Sequence, residues 1–162
     1  MSEKVHHFGL EYTPEEWARL YSEHTPSDVI FTYKSFGFNY CEVCLTPTVE
    51  VLIRKPFRIE ITAAESPNGR WDCGYSFDFS SSSSSGPAMF CAKPEYGFAS
   101  EKEAVYHALR SAEKFVLRAL ENAEGSETGK SDTPKLNVTL REIRKYKDLY
   151  DPSQLSLFEW LG

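Results

Sequence analysis

Two stretches alternate apolar and polar residues more strictly than the rest of the chain. In FRIEITA, Phe57, Ile59, Ile61 and Ala63 fall on one side and Arg58, Glu60 and Thr62 on the other. In WDCGYSFDF, Trp71, Cys73, Tyr75, Phe77 and Phe79 share a side, with Asp72, Ser76 and Asp78 opposite. A period of two is that of a strand, and it leaves each strand one apolar face that must be covered. Asn68-Gly69 between them is a tight-turn signal. Paired strands with one apolar face need more strands and a second layer to be stable.

The covering layer is legible further on. Ser100-Glu101-Lys102-Glu103 reads as a capping box, and Val105, Leu109, Ala112, Val116, Ala119 and Ala123 follow at helical spacing over residues 101–123. Gly125 is a stop signal. AMFCA is expected as a short third strand, and Ser80 to Ser85 with Gly86-Pro87 as a flexible connection. The expected class is α+β: an antiparallel β-β-β-α core over residues 57–123, packed on a long helix. An N-terminal helix and a β-rich segment precede it. Thr13-Pro14-Glu15-Glu16 opens that helix, Trp17, Leu20 and Tyr21 give it an apolar face, and Thr25-Pro26 ends it. VIFTY, FGFNYCEVCL and VEVLI are the β-rich runs of residues 28–54.

These signals divide the chain into a single domain over residues 1–123, a linker over 124–134, a basic helix over 135–150 and a tail over 151–162. Leu136, Leu140, Ile143, Tyr146 and Tyr150 line one side of the basic helix. The β-β-β-α layout, with GFASEKEAVYHAL entering its helix, loosely resembles the double-stranded-RNA-binding-domain and HicB antitoxin type of fold. The resemblance covers less than half of the chain. RNA binding in that family needs basic residues at the helix start, where this chain has Glu101 and Glu103, so the resemblance implies a fold and not the RNA function.

The 162 residues carry a net charge of −6, which argues against a general phosphate-binding surface. Residues 135–147 depart from that balance. Lys135, Arg141, Arg144, Lys145 and Lys147 stand against Glu142 alone, +4 locally, so the remainder carries −10. Arg141, Arg144, Lys145 and Lys147 are the candidate DNA contacts; the plainer expectation is a solvated face paired with an acidic body.

The sequence has no apolar run of membrane-spanning length and no apolar signal core at its start, and a cytoplasmic location is expected. Of four cysteines, Cys41 and Cys44 form a C-x-x-C inside an expected strand, where residues three apart face opposite ways. Cys73 and Cys91 stand alone, so no metal site and no cofactor are expected. His6, His7, His24 and His107 lack convergent partners, and neither a nucleophile elbow nor a phosphate-binding loop is present. No catalytic residue is assigned.

The remaining feature is QLSLF, Gln154, Leu155, Ser156, Leu157 and Phe158, followed by Glu159, Trp160 and Leu161. It resembles at all five positions the pentapeptide by which bacterial replication and repair proteins bind the sliding clamp. A chance match in a chain of this length is expected on the order of once in several thousand sequences. The resemblance implies that Gln154 occupies a polar subsite, Leu155 packs at its edge, Ser156 stays outward, and Leu157 and Phe158 fill an apolar pocket. A second register, Gln154, Leu157, Trp160 and Leu161, is similar to the box used with trimeric clamps, although Leu161 departs from the usual aromatic. The expected function is a non-enzymatic accessory or adaptor protein of DNA replication, repair or a mobile element, with a sliding clamp as partner. The alternatives are a clamp-tethered nucleotide- or nucleic-acid-processing enzyme, and an antitoxin-like regulator whose tail belongs to the fold. The oligomeric state is left open.

Overall fold

The computed structural model describes residues 3–79, 82–126 and 130–153. Its elements are β1 (Val5–His7), β2 (Leu10–Tyr12), α1 (Pro14–Glu23), β3 (Phe31–Tyr33), β4 (Phe36–Phe38), β5 (Thr48–Ile53), β6 (Arg58–Glu65), β7 (Trp71–Asp78), β8 (Ser83–Gly86), α2 (Glu101–Glu124) and α3 (Thr133–Tyr150), with a 3₁₀ turn at Lys130–Asp132. The fold is α+β. Four strands form an antiparallel sheet in the order β5-β6-β7-β8, while β1-β2 and β3-β4 are separate hairpins. Among the described residues, no helix is long and apolar enough to cross a membrane.

The two alternating stretches pair along their full length, from Arg58 opposite Asp78 to Glu65 opposite Trp71. Gly69 takes a φ of 81° in the turn between them, a conformation that favours glycine. Ile59, Ile61, Ala63 and Phe77 on one face of the sheet meet Val105, Leu109, Ala112 and Val116 of α2 and Leu136, Leu140 and Ile143 of α3 in one buried cluster. At the other face, Ala64 joins Phe8, Phe36, Phe38, Cys44, Ala88 and Phe90 in a second cluster, so the polar face of β6 is covered near its end. Adjacent residues of one strand thus serve two cores, as the alternation of strand side chains requires.

Several expectations need correction. Among the described residues the sheet has four strands rather than three, because VEVLI pairs with β6 as β5. The serine run is no mere connection: β8 lies within it and pairs with β7, Tyr75 opposite Gly86 and Asp78 opposite Ser83. The free edge of β7 imposes pairing on residues of low β propensity, a case of tertiary context overriding local preference. AMFCA makes only a single bridge, Met89 to Val43, and spends Ala88, Phe90 and Cys91 on burial instead. It crosses β7 closely: a Cβ added at Gly74 would lie 2.7 Å from the Ala88 amide nitrogen. The C-x-x-C is a turn, not a strand, and Glu42 within it has a φ of 64°. Asn39 replaces the missing ladder: its Oδ1 accepts from the amides of Cys41 (2.9 Å) and Val43 (3.0 Å). Part of the expected linker is ordered as the 3₁₀ turn and the start of α3, which begins at Thr133 rather than Lys135.

The helix starts follow their caps. Thr13 and Glu16 form the full reciprocal box of α1, at 3.1 and 2.8 Å. Ser100 accepts from the Glu103 amide, but the Glu103 carboxylate reaches the Ala99 amide instead, so α2 has only half of its expected box.

Candidate functional site

Gln154, Leu155, Ser156, Leu157, Phe158 and Trp160 lie outside the described residues. Residues 151–153 form their root. Helix α3 ends at Tyr150, and Asp151 turns into extended backbone with φ −61° and ψ 115°. The Asp151 Oδ1 accepts from the amide (2.9 Å) and hydroxyl (2.7 Å) of Ser153, and these two bonds hold its carboxyl below the usual value.

Beside that root, three elements converge on a pair of carboxyls. Val49 opposes Thr62 and Val51 opposes Ile61, leaving Glu50 as the extra residue of a β-bulge on β5. Bulges re-aim a side chain and bend an edge strand. The Tyr150 hydroxyl at the end of α3 donates to Glu50 Oε2 at 3.4 Å. Glu101, the first residue of α2, is the second carboxyl. Burial, then a hydrogen bond with Glu101 and its charge, pushes the Glu50 carboxyl up to about 7. Burial, then the charges of Glu50 and Glu101, raises the Tyr150 hydroxyl as well. Burial and a neighbouring carboxyl both disfavour the charged form, so Glu50 keeps its proton close to neutrality. The sequence pattern hides this junction, because Glu50 reads as the wet position of an alternating strand and Glu101 as an ordinary helix-start acid.

Two cations of the basic helix share one carboxylate of its neighbour. Arg144 Nε and Lys147 Nζ both reach Glu113 on α2, each at 3.1 Å. Burial alone would raise Glu113, but Lys147 and Arg144 outweigh it and hold the carboxyl below its usual value. Lys145 pairs with Glu142 at 3.0 Å along its own helix. Arg141 is exposed and makes no ion pair among the described residues. The structure therefore separates the four candidate DNA contacts: Arg144 and Lys147 clamp α3 to α2, Lys145 is paired, and Arg141 faces solvent.

The aromatic side of the molecule has a polar contact of its own. His7, read from the sequence as lacking convergent partners, stacks on Trp17 with ring centroids 3.6 Å apart, and its Nδ1 lies 3.1 Å from Glu42 Oε1. An open groove next to this stack is lined by Tyr12, Leu20, Glu11, Glu16, Arg19 and Glu23. Glu11, Arg19, Glu23 and Glu16 are already engaged, by Lys4, by each other and by the α1 cap. Cys41 is exposed and Cys44 buried. Burial, then the charge of Asp72, pushes the Cys73 thiol up to about 12 and that of Cys91 up to about 11. Thiols so raised are poor nucleophiles near neutral pH. Among the described residues, no group of three or more His, Cys, Asp or Glu side chains is placed to hold a metal ion.

No family model, no curated protein and no solved structure matches this chain.

Proposed function

We propose that this protein is a non-enzymatic accessory factor of DNA replication, repair or a mobile element, cytoplasmic, which engages a bacterial sliding clamp through Gln154, Leu155, Leu157 and Phe158. The observation that carries the reading is the five-position agreement of QLSLF with the clamp-binding pentapeptide. The root of the segment supports it. Leu136, Leu140 and Ile143 bury α3 in the core and Glu113 ties it to α2, so the segment leaves from an anchored helix end.

A contact of five residues has little area, so its affinity must come from two or three deeply buried anchors. Leu157 and Phe158 are those anchors, each worth about 1.5–3 kcal/mol when fully buried. Several identical pockets on one ring, and tethering to DNA, raise the effective concentration further.

The test is a calorimetric titration of a bacterial clamp with wild type, Leu157→Ala/Phe158→Ala and Trp160→Ala. Wild type binds with a Kd on the order of micromolar, and the double variant loses roughly a hundredfold or more. Trp160→Ala changes little if the pentapeptide is the hook and much if the trimeric-clamp register is used. Absence of wild-type binding to the host clamp, or unfolding of the double variant, sinks the proposal.

A further inference from the structure

We infer that the outer face of the α2–α3 pair, centred on Arg110, Lys114 and Arg118 with Arg141 of α3, is a contact surface for the phosphate backbone of duplex DNA. Three of these residues recur every fourth position of α2 and are exposed. At 1.5 Å rise per residue they form a stripe of about 12 Å along one helix face. The opposite face of the same helix carries Val105, Leu109, Ala112 and Val116 into the core, so the stripe looks away from the sheet. Arg144 and Lys147 fix α3 alongside α2 through Glu113. Arg141, about one turn before Arg144 on α3, is exposed as well.

The distribution of pairing decides which cations matter. Among the described residues, Arg110, Lys114, Arg118 and Arg141 have no ion-pair partner, whereas Arg144, Lys145 and Lys147 do. A paired cation must give up its carboxylate before it can meet a phosphate; an unpaired one only exchanges water and counterions. The DNA contacts read from the basic run of residues 135–147 therefore move, for the most part, onto α2. A regular polyanion is the partner that suits a regular stripe: a DNA strand offers a charge every ~3.4 Å of axis, so about 12 Å spans three to four phosphates. Glu103 and Glu121 lie at the two ends of the stripe on its own helix face, Glu124, Glu142 and Asp148 lie elsewhere on the same two helices, and the chain as a whole carries −6. The contact is for these reasons weak, local and salt-sensitive.

The surface stands independently of residues 154–158, and the experiment keeps the two apart. Anisotropy of a labelled duplex of ~20 base pairs is titrated with the full chain from about 25 to 200 mM salt. Wild type binds with a Kd on the order of 10–100 μM at about 50 mM salt, with a log–log salt slope of about −3. Arg110→Gln/Lys114→Gln/Arg118→Gln weakens binding about tenfold or more and removes about 2.7 units of slope. Arg144→Gln/Lys145→Gln stays within about threefold of wild type, and Leu157→Ala/Phe158→Ala binds DNA as wild type does. Circular dichroism confirms that each variant folds. No binding at the lowest salt, an unaffected triple variant, loss in the Arg144/Lys145 variant alone, or equal competition by polyglutamate would each overturn the assignment.

Discussion

The two faces of the central sheet are packed by different means. Toward α2 and α3 the core is made by long elements with regular spacing: eight-residue strands, a helix of 24 residues and one of 18. On the aromatic side, β1, β2, β3 and β4 have three residues each, and the turns between them place Phe8 and Lys34 at positive φ. There the backbone relies on side chains, with Asn39 also donating to the Pro26 carbonyl at 2.9 Å, and on aromatic rings such as Phe8 over Phe31 at 4.8 Å. The first face is held by periodicity and the second by particular residues. The stability of each should therefore fail in a different way.

The largest test removes packing where periodicity rules. Leu109→Ala, at a fully buried site, should cost about 2–5 kcal/mol and lower the whole cooperative transition, read by far-UV and near-UV circular dichroism together. Loss of only the near-UV signal would mean that the two faces are not coupled through β6 as Ala63 and Ala64 imply. A smaller effect is expected from Asn39→Ala. It leaves the amides of Cys41 and Val43 without their acceptor, at about 1–3 kcal/mol, and amide exchange should rise in residues 39–46 before it rises in β6. Equal acceleration in both would erase the contrast between the faces.

The smallest effect concerns the Glu50–Glu101 pair. The folded Glu50 carboxyl holds its proton up to about pH 7, against an ordinary value of 4.5. Between those values the folded chain binds a proton that the unfolded chain has released. Its stabilisation is complete below about 4.5 and is lost as pH rises through about 7. Wild-type Tm should accordingly fall between pH 5 and pH 8 by more than that of Glu50→Gln. The difference is worth about 1 kcal/mol or less, because Glu50 is only half-buried and solvent screens it. Parallel profiles for the two proteins would show that folding does not raise the Glu50 carboxyl.

How much could be read beforehand follows the same division. The alternation in β6 and β7 and the spacing in α2 were legible because each face of a long element repeats one environment. The pairing of β8 was not, since serine carries no strand signal and only the neighbouring edge dictates its conformation. The turn through Cys41 and Cys44 was misread because its apolar residues mimic a strand. Glu42 and Asn39, which make it a turn, act through single hydrogen bonds that have no period. The carboxyl pair was hidden for a related reason. Glu50 and Glu101 are 51 positions apart in the numbering, and only the bulge and the helix start bring them together.

The outer strands of the sheet have a consequence for how this protein behaves when crowded. An unpaired strand edge is a template on which other chains can add, and long flat edges seed cross-β growth. Here one rim, β5, is kinked by its bulge and faces α3 through Tyr150. The other, β8, is only four residues long and offers three serines and a glycine, with no branched or aromatic side chain to interlock with an incoming strand. A low-complexity run that looks like filler thus serves as a stop: it completes the sheet's hydrogen bonding on its inner side and leaves a poor surface for copying on its outer one.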